Sequence, residues 1–212
     1  MRPVAQLSLF SAEARPVRRA DLAGLLCGPG RIARFGSGTT ARLSLQVADA
    51  GRARAVRAAA AATGVRLEAT PADDGTFALR SAFRCDLVAL AKAWAGSDDA
   101  AGGAAAAADR KVVPDDFQLD GSLLRLWALA AGRADERGGY LLALDPLAPH
   151  THRPLAAAAY RAGISPARVG GDDHPALRIS GAARVRRLVD LVGPVPDPVP
   201  VGDWPRWWGR AS

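Results

Sequence analysis

An α+β architecture of two tandem α-β-β-α-β-β-α units is what this sequence predicts, and three observations predict it. Two segments of similar length, residues 20–96 and 120–193, flank a low-complexity stretch, SDDAAGGAAAAADRKVV at 97–113. The same landmarks recur in the same order in both segments. Period-two stretches alternate with Ala-, Leu- and Arg-rich stretches of helical length in each.

The first segment opens with an apolar helix, DLAGLLCGPG, that ends in glycine; SLLRLWALAAG holds the matching place in the second. A hairpin follows, turning at Gly36-Ser37-Gly38-Thr39 and rising through Arg42-Leu43-Ser44-Leu45-Gln46-Val47. That alternation puts Leu43, Leu45 and Val47 on one face and Arg42, Ser44 and Gln46 on the other. In the second segment the first strand is weak (Arg133 to Glu136), and Tyr140-Leu-Leu-Ala-Leu is apolar on both faces. An Arg- and Ala-rich helix then stops at Gly64, or at Gly163 in the second segment. A second hairpin turns on Asp-Asp-Gly or Gly-Asp-Asp and closes with Ala-Leu-Arg, at 78–80 and at 176–178. By the same alternation Arg66 and Glu68 leave the core, while Val65 and Leu67 straddle it less cleanly. A final helix runs to Gly96 or Gly193. Residues 1–19 read as a flexible N-terminal arm, 97–119 as a linker, and 194–212 as a Pro- and Trp-rich tail whose prolines forbid a helix.

The formal net charge is +7, and lysine occurs only at Lys92 and Lys111, so arginine carries nearly all the positive charge. Such a balance favours a polyanionic partner, most simply nucleic acid. No apolar run approaches the roughly 20 residues of a membrane span, and the two cysteines, Cys27 and Cys85, give no disulfide framework. A cytoplasmic, nucleoid-associated location is expected.

Leu22-Ala23-Gly24-Leu25-Leu26-Cys27-Gly28-Pro29-Gly30 resembles the LAGLIDADG helix of homing endonucleases, with Leu124 to Gly132 in the matching place of the second unit. The degenerate version found in WhiA-like bacterial sporulation regulators is similar as well. The resemblance covers most of 20–193 and implies a pseudo-two-fold saddle, with the two motif helices packed through small residues. In that family the last acidic residue of each motif binds Mg²⁺ for phosphodiester hydrolysis. Pro29 and Ala131 stand at those positions here, so the resemblance implies a DNA-sized saddle without nuclease chemistry. No catalytic residue, cofactor or metal site is therefore expected. Asp135 and Glu136 follow the second helix and leave a rearranged nuclease site as one alternative. His150, His152 and His174, with Asp172 and Asp173, form another candidate metal set, weighed against exposed turns and helix capping by Thr151. Arg31, Arg34, Arg42, Arg80 and Arg178 are the residues expected to meet DNA, with Arg80 and Arg178 in matching places.

The N-terminal pentapeptide Gln6-Leu7-Ser8-Leu9-Phe10 resembles the peptide by which bacterial polymerases and repair proteins bind the replication sliding clamp. The resemblance implies that Leu9 and Phe10 fill an apolar pocket, Gln6 hydrogen-bonds at its rim and Leu7 packs alongside. An N-terminal edge strand is the alternative. The tail Trp204-Pro-Arg-Trp-Trp-Gly-Arg either stacks on unpaired bases or lays its indoles across a groove of the fold, where it could cover half of the saddle. The expectation is a non-catalytic DNA-associated protein recruited to the clamp in replication or repair. Its alternatives are a transcription regulator similar to WhiA and a metal-dependent endonuclease.

Overall fold

Two short helices lie side by side at the centre of the molecule. α1 (Ala23–Cys27) has every residue buried, and α4 (Gly121–Ala131) buries seven. Helices apolar on all sides belong inside a fold. The computed structural model of the chain describes residues 11–12, 15–95 and 110–206. The first unit runs α1, β1 (Arg31–Phe35), β2 (Thr40–Val47), α2 (Ala50–Ala62), β3 (Leu67–Pro71), β4 (Phe77–Ser81), α3 (Val88–Trp94). The second runs α4, β5 (Gly132–Ala134), β6 (Tyr140–Ala143), α5 (His152–Arg161), β7 (Ala167–Val169), β8 (Ala176–Ile179), α6 (Ala182–Val192). Each unit holds one antiparallel sheet, ordered β1-β2-β4-β3 and β5-β6-β8-β7. This is the expected α+β duplication. The weak first strand of the second unit is present but only three residues long.

The two helices approach closely because small residues face each other. A Cβ added to Gly24 would press into the Leu123 backbone, 2.9 Å from its carbonyl carbon. One added to Gly28 would lie 2.8 Å from the Ala131 methyl. Glycine weakens an isolated helix by about 1 kcal/mol relative to alanine, so its place here is explained by the neighbouring backbone and not by propensity. Around this axis Leu25, Leu26, Leu124, Trp127 and Leu129 join Leu43, Leu79, Leu142 and Leu177 of the two sheets in one apolar core.

Charge is arranged along the helix pair to match its dipoles. At the N-terminal end, Asp120 accepts from the Leu123 N–H at 3.0 Å and Asp21 accepts from the Arg18 N–H at 2.8 Å. Arg15 bridges the two carboxylates, at 2.8 Å from Asp21 and 2.5 Å from Asp120. At the C-terminal end, buried Arg52 of α2 donates to the Ala128 and Leu129 carbonyls of α4 at 3.1 and 2.9 Å. It also donates to the Asp203 carbonyl of the tail at 3.2 Å. Lys111 serves α1 in the same way. Its ammonium donates to the Gly28 carbonyl, to the Gly30 carbonyl at 3.1 Å and to the Asp145 carboxylate at 3.2 Å. Burial pushes this ammonium below lysine's ordinary pKa, against the pull of Asp145.

The segments read as arm, linker and tail are packed where the structure describes them. Ala12 donates its N–H to the Leu191 carbonyl at 2.9 Å. Lys111 bridges to Ala95, and Phe117 meets Trp94 edge-on with ring centroids 5.4 Å apart. Trp204 is buried beneath Arg125, and its indole N–H donates to the Gly193 carbonyl at 2.9 Å. This indole therefore packs into the helical side of the fold. It does not cover the second sheet through Leu141, whose side chain points the other way from Tyr140 and Leu142. Trp207 and Trp208 lie outside the described residues.

Gly24→Ala is expected to lower stability by about 2 kcal/mol through overpacking, despite alanine's better helix propensity. In a chain of this size that is a drop of roughly 4–8 °C in Tm. Gly202→Ala, where an added Cβ meets nothing within 4 Å, should leave the thermal unfolding curve in place.

Lys111→Met should cost about 3 kcal/mol, because Asp145, 2% exposed at its side chain, loses its buried counter-charge. Asp145→Leu added to it should cost much less than it does alone. Thermal unfolding of the wild type, both single variants and the double variant measures this coupling, and strictly additive losses would contradict it.

Candidate nucleic-acid interface

The two sheets turn one face to the helices and the other outward. In the first sheet β2 alternates cleanly: Ala41, Leu43, Leu45 and Val47 are buried while Arg42 and Gln46 are exposed. Register carries that alternation across the sheet. Ser44 pairs with Arg31 on one side and Arg80 on the other, Arg42 pairs with Ala33, and Gln46 pairs with Ala78. Arg31, Arg42 and Arg80 thus share the outer face with Ser44 and Gln46. Together with Pro29 and Ala78 they line a shallow depression of about 420 Å³. Glu68 pairs with Arg80 from β3 and is the acidic residue at its margin.

Arg34 does not join this group. It lies three residues from Arg31, and an odd separation in a strand reverses the face. It pairs with buried Ala41 and sits on the helical side of β1 with Ile32. Arg178 does occupy the place that matches Arg80, in a row running Arg133, Leu141, Arg178. Its Nε donates to Asp135 Oδ2 at 2.5 Å, so a carboxylate already holds this guanidinium. Burial pushes the Asp135 carboxyl up, but the Arg137 backbone N–H and the Arg178 guanidinium outweigh it and hold the group below its ordinary pKa. The outer face of the second sheet also carries exposed Arg133, with Leu141, Ala143 and Ala176 as its apolar part. The basic character of the outer surface is concentrated on the first unit.

An aromatic pair lies at one end of the depression. Phe35, the last residue of β1, and Phe83, just beyond β4, have ring centroids 4.7 Å apart. The Arg42 guanidinium lies over the Phe83 ring, 4.6 Å from its centroid. Sequence reading missed this pair. Its one signal was parity, which places Phe35 on the face of Arg31.

The residues at the foot of the helix pair do not fit a divalent metal. Pro29 and Ala131 offer no side-chain oxygen. The nearby oxygens, Gly28 O, Gly30 O and Asp145 Oδ2, already accept from the Lys111 ammonium, and Arg31 lies 4.0 Å from Asp145. Two cations at this position oppose a third. Asp135, the carboxylate of the rearranged alternative, is engaged by Arg178. The histidines are separated by the fold. His152 Nε2 donates to the Asp145 carbonyl at 2.8 Å and His150 Nε2 to the Lys111 carbonyl at 2.5 Å, while His174 lies in the β7–β8 turn. Thr151 gives its hydroxyl to the Ala148 carbonyl at 2.7 Å instead of capping α5. Among the described residues, no three His, Cys, Asp or Glu side chains converge to hold a metal ion. Among them, too, no helix is long and apolar enough to cross a membrane.

Gln6 to Phe10 lie outside the described residues, which resume at Ser11.

No protein-family model matches the sequence, and no curated protein is similar to it in sequence. Solved structures do match in fold. The homing endonuclease I-WcaI bound to its DNA recognition sequence superposes with a TM-score of 0.57 at 10% identity, covering 86% of this chain and 84% of that one. The N-terminal LAGLIDADG domain of WhiA superposes with a TM-score of 0.53 at 8% identity, covering 92% of this chain and 87% of that domain. The chain carries the LAGLIDADG-type fold in its two-repeat, saddle-shaped form.

Proposed function

We propose that this is a DNA-associated protein that binds DNA through the outer face of its first sheet without cleaving it. The observation that carries this reading is the convergence of Arg31, Arg42 and Arg80 around Ser44 and Gln46. Guanidinium groups hold phosphates bidentately, and Ser and Gln side chains supply hydrogen bonds to phosphate or base edges. The fold neighbour bound to DNA supports a saddle of suitable size. The non-catalytic reading is supported by Pro29, Ala131 and the Lys111 ammonium at the foot of the helices.

Four of the 28 basic side chains are committed to the fold itself. Arg15, Arg52, Arg125 and Lys111 serve helix ends and backbone carbonyls. Net charge alone therefore overstates the DNA surface, and the reading rests on the three outer arginines.

Recruitment to the bacterial replication clamp, in replication or repair at the nucleoid, is the finer part of the proposal. Gln6-Leu7-Ser8-Leu9-Phe10 supports it through side-chain types: an apolar Leu-Phe anchor with a polar rim residue. A second reading, transcriptional regulation, is supported by the WhiA domain among the fold neighbours. It needs no clamp.

Labelled duplex titrated with wild-type protein at several salt concentrations should show affinity falling steeply with salt. Arg42→Ala with Arg80→Ala should weaken binding and flatten the log–log slope by about 2 units, one per phosphate released. Arg178→Ala should leave that slope nearly unchanged, since Asp135 already holds the guanidinium. Mg²⁺ in the same mixture should leave the DNA intact. Binding without salt dependence, or strand scission, would overturn the reading.

Leu9→Ala with Phe10→Ala should abolish capture by purified sliding clamp while Tm stays unchanged, each anchor contributing about 2 kcal/mol. A lowered Tm with clamp binding retained would assign the pentapeptide to the fold. Failure of the wild type to bind clamp, with DNA binding intact, would favour the regulatory reading.

A further inference from the structure

Phe35 is 62% exposed and Phe83 42% exposed, although the core beneath them is well filled. Large apolar rings are unfavourable in water, and adjacent exposed rings mark a surface that meets something. Their surroundings narrow the choice. Both lie on the outer face, at the Phe35–Thr40 level of the sheet, next to the arginine-lined depression. Arg42 spans the two features: its guanidinium covers one side of Phe83 while its strand position leads toward Ser44 and Gln46. The strip from Thr40 to Gln46 covers about 20 Å at 3.3 Å per residue. That is roughly six nucleotide steps of 3.4 Å along one strand.

A cationic strip ending in exposed aromatic rings is complementary to a polyanion that offers flat apolar faces. A fully paired duplex hides its base faces in the stack, and only its ends and defects expose them. An apolar protein patch would fit the rings but would bring no anion to Arg42 and Arg80, or to Arg31, whose contact with Asp145 is at 4.0 Å. Unpaired nucleotides satisfy both halves of the surface, with phosphates on the arginines and a base on the rings.

We propose that Phe35 and Phe83 form a base-stacking ledge, and that the preferred ligand of this face is DNA carrying unpaired bases, such as a bulge, a gap or a single-strand–duplex junction. This deepens the DNA-binding reading above and rests on it. Arg42 both packs on the Phe83 ring and, with Arg31 and Arg80, holds the strand that leads into the ledge.

The test uses the full-length protein, a blunt duplex, and the same duplex with an internal bulge that contains 2-aminopurine. Wild type should bind the bulged DNA about tenfold more tightly than the blunt duplex, the gain from stacking one base. The 2-aminopurine fluorescence should change on binding. Phe35→Ala with Phe83→Ala should remove both the preference and the fluorescence change, leaving duplex affinity and salt slope within about twofold of wild type. Phe35→Tyr with Phe83→Tyr, which keeps the ring faces, should restore both; it also carries the test should the alanine pair lower Tm. Salt-dependent wild-type binding that is equal on the two DNAs would overturn the ledge while leaving the DNA reading standing. So would an alanine pair that weakens both equally. Loss of all salt-dependent binding in the wild type would overturn the DNA reading, and the ledge with it.

Discussion

The close approach of α1 and α4 is the constraint on which the rest of the structure depends. Leu123 backbone occupies the space of a side chain at position 24, and the Ala131 methyl occupies the space of one at position 28. Only glycine fits at either place. Because the helices meet backbone to backbone, the sheets that follow them are held at a fixed relation across the pseudo-two-fold axis. The saddle's outer surface inherits its shape from two missing methyl groups in the centre of the molecule.

A helix pair this close concentrates dipole charge at its two ends, and the chain answers with side chains drawn from distant positions. Arg15 joins the two N-terminal carboxylates, while Arg52 and Lys111 receive the C-terminal carbonyls. The second of these arrangements has a functional consequence. The foot of the helix pair holds an ammonium bonded to Gly28, Gly30 and Asp145. Lys111 and Arg31 at this foot oppose the approach of a divalent cation, which supports the proposal that the protein holds DNA without hydrolysing it.

The fold was legible because its signals are local and occur twice. Leu43, Leu45 and Val47 alternate as a half-buried strand must, and Gly64 and Gly163 mark the same left-handed helix stop in both units. The outer face was legible in part. Arg42 and Arg80 followed from alternation, but Arg34 fell on the wrong face because it lies an odd number of residues from Arg31. Arg178 matched Arg80 by position, yet Asp135, brought alongside by the β5–β6 hairpin, engages it. Lys111 was hidden within a stretch read as linker. Its only signal was that it is one of two lysines in an arginine-rich chain. The tasks of Arg15, Arg52 and Arg125 depend on contacts between segments far apart in sequence, which no periodicity reports.

The DNA-binding proposal puts the ligand on the outer face of the first sheet. The molecule has a competing basic surface on its helical side, where α6 exposes Arg184 and Arg186. Backbone amide chemical shifts followed during a DNA titration distinguish the two directly. The amides of Arg31, Arg42, Ser44, Gln46 and Arg80 should shift with DNA while those of α6 stay in place. Shifts confined to α6, with β1, β2 and β4 unmoved, would contradict it.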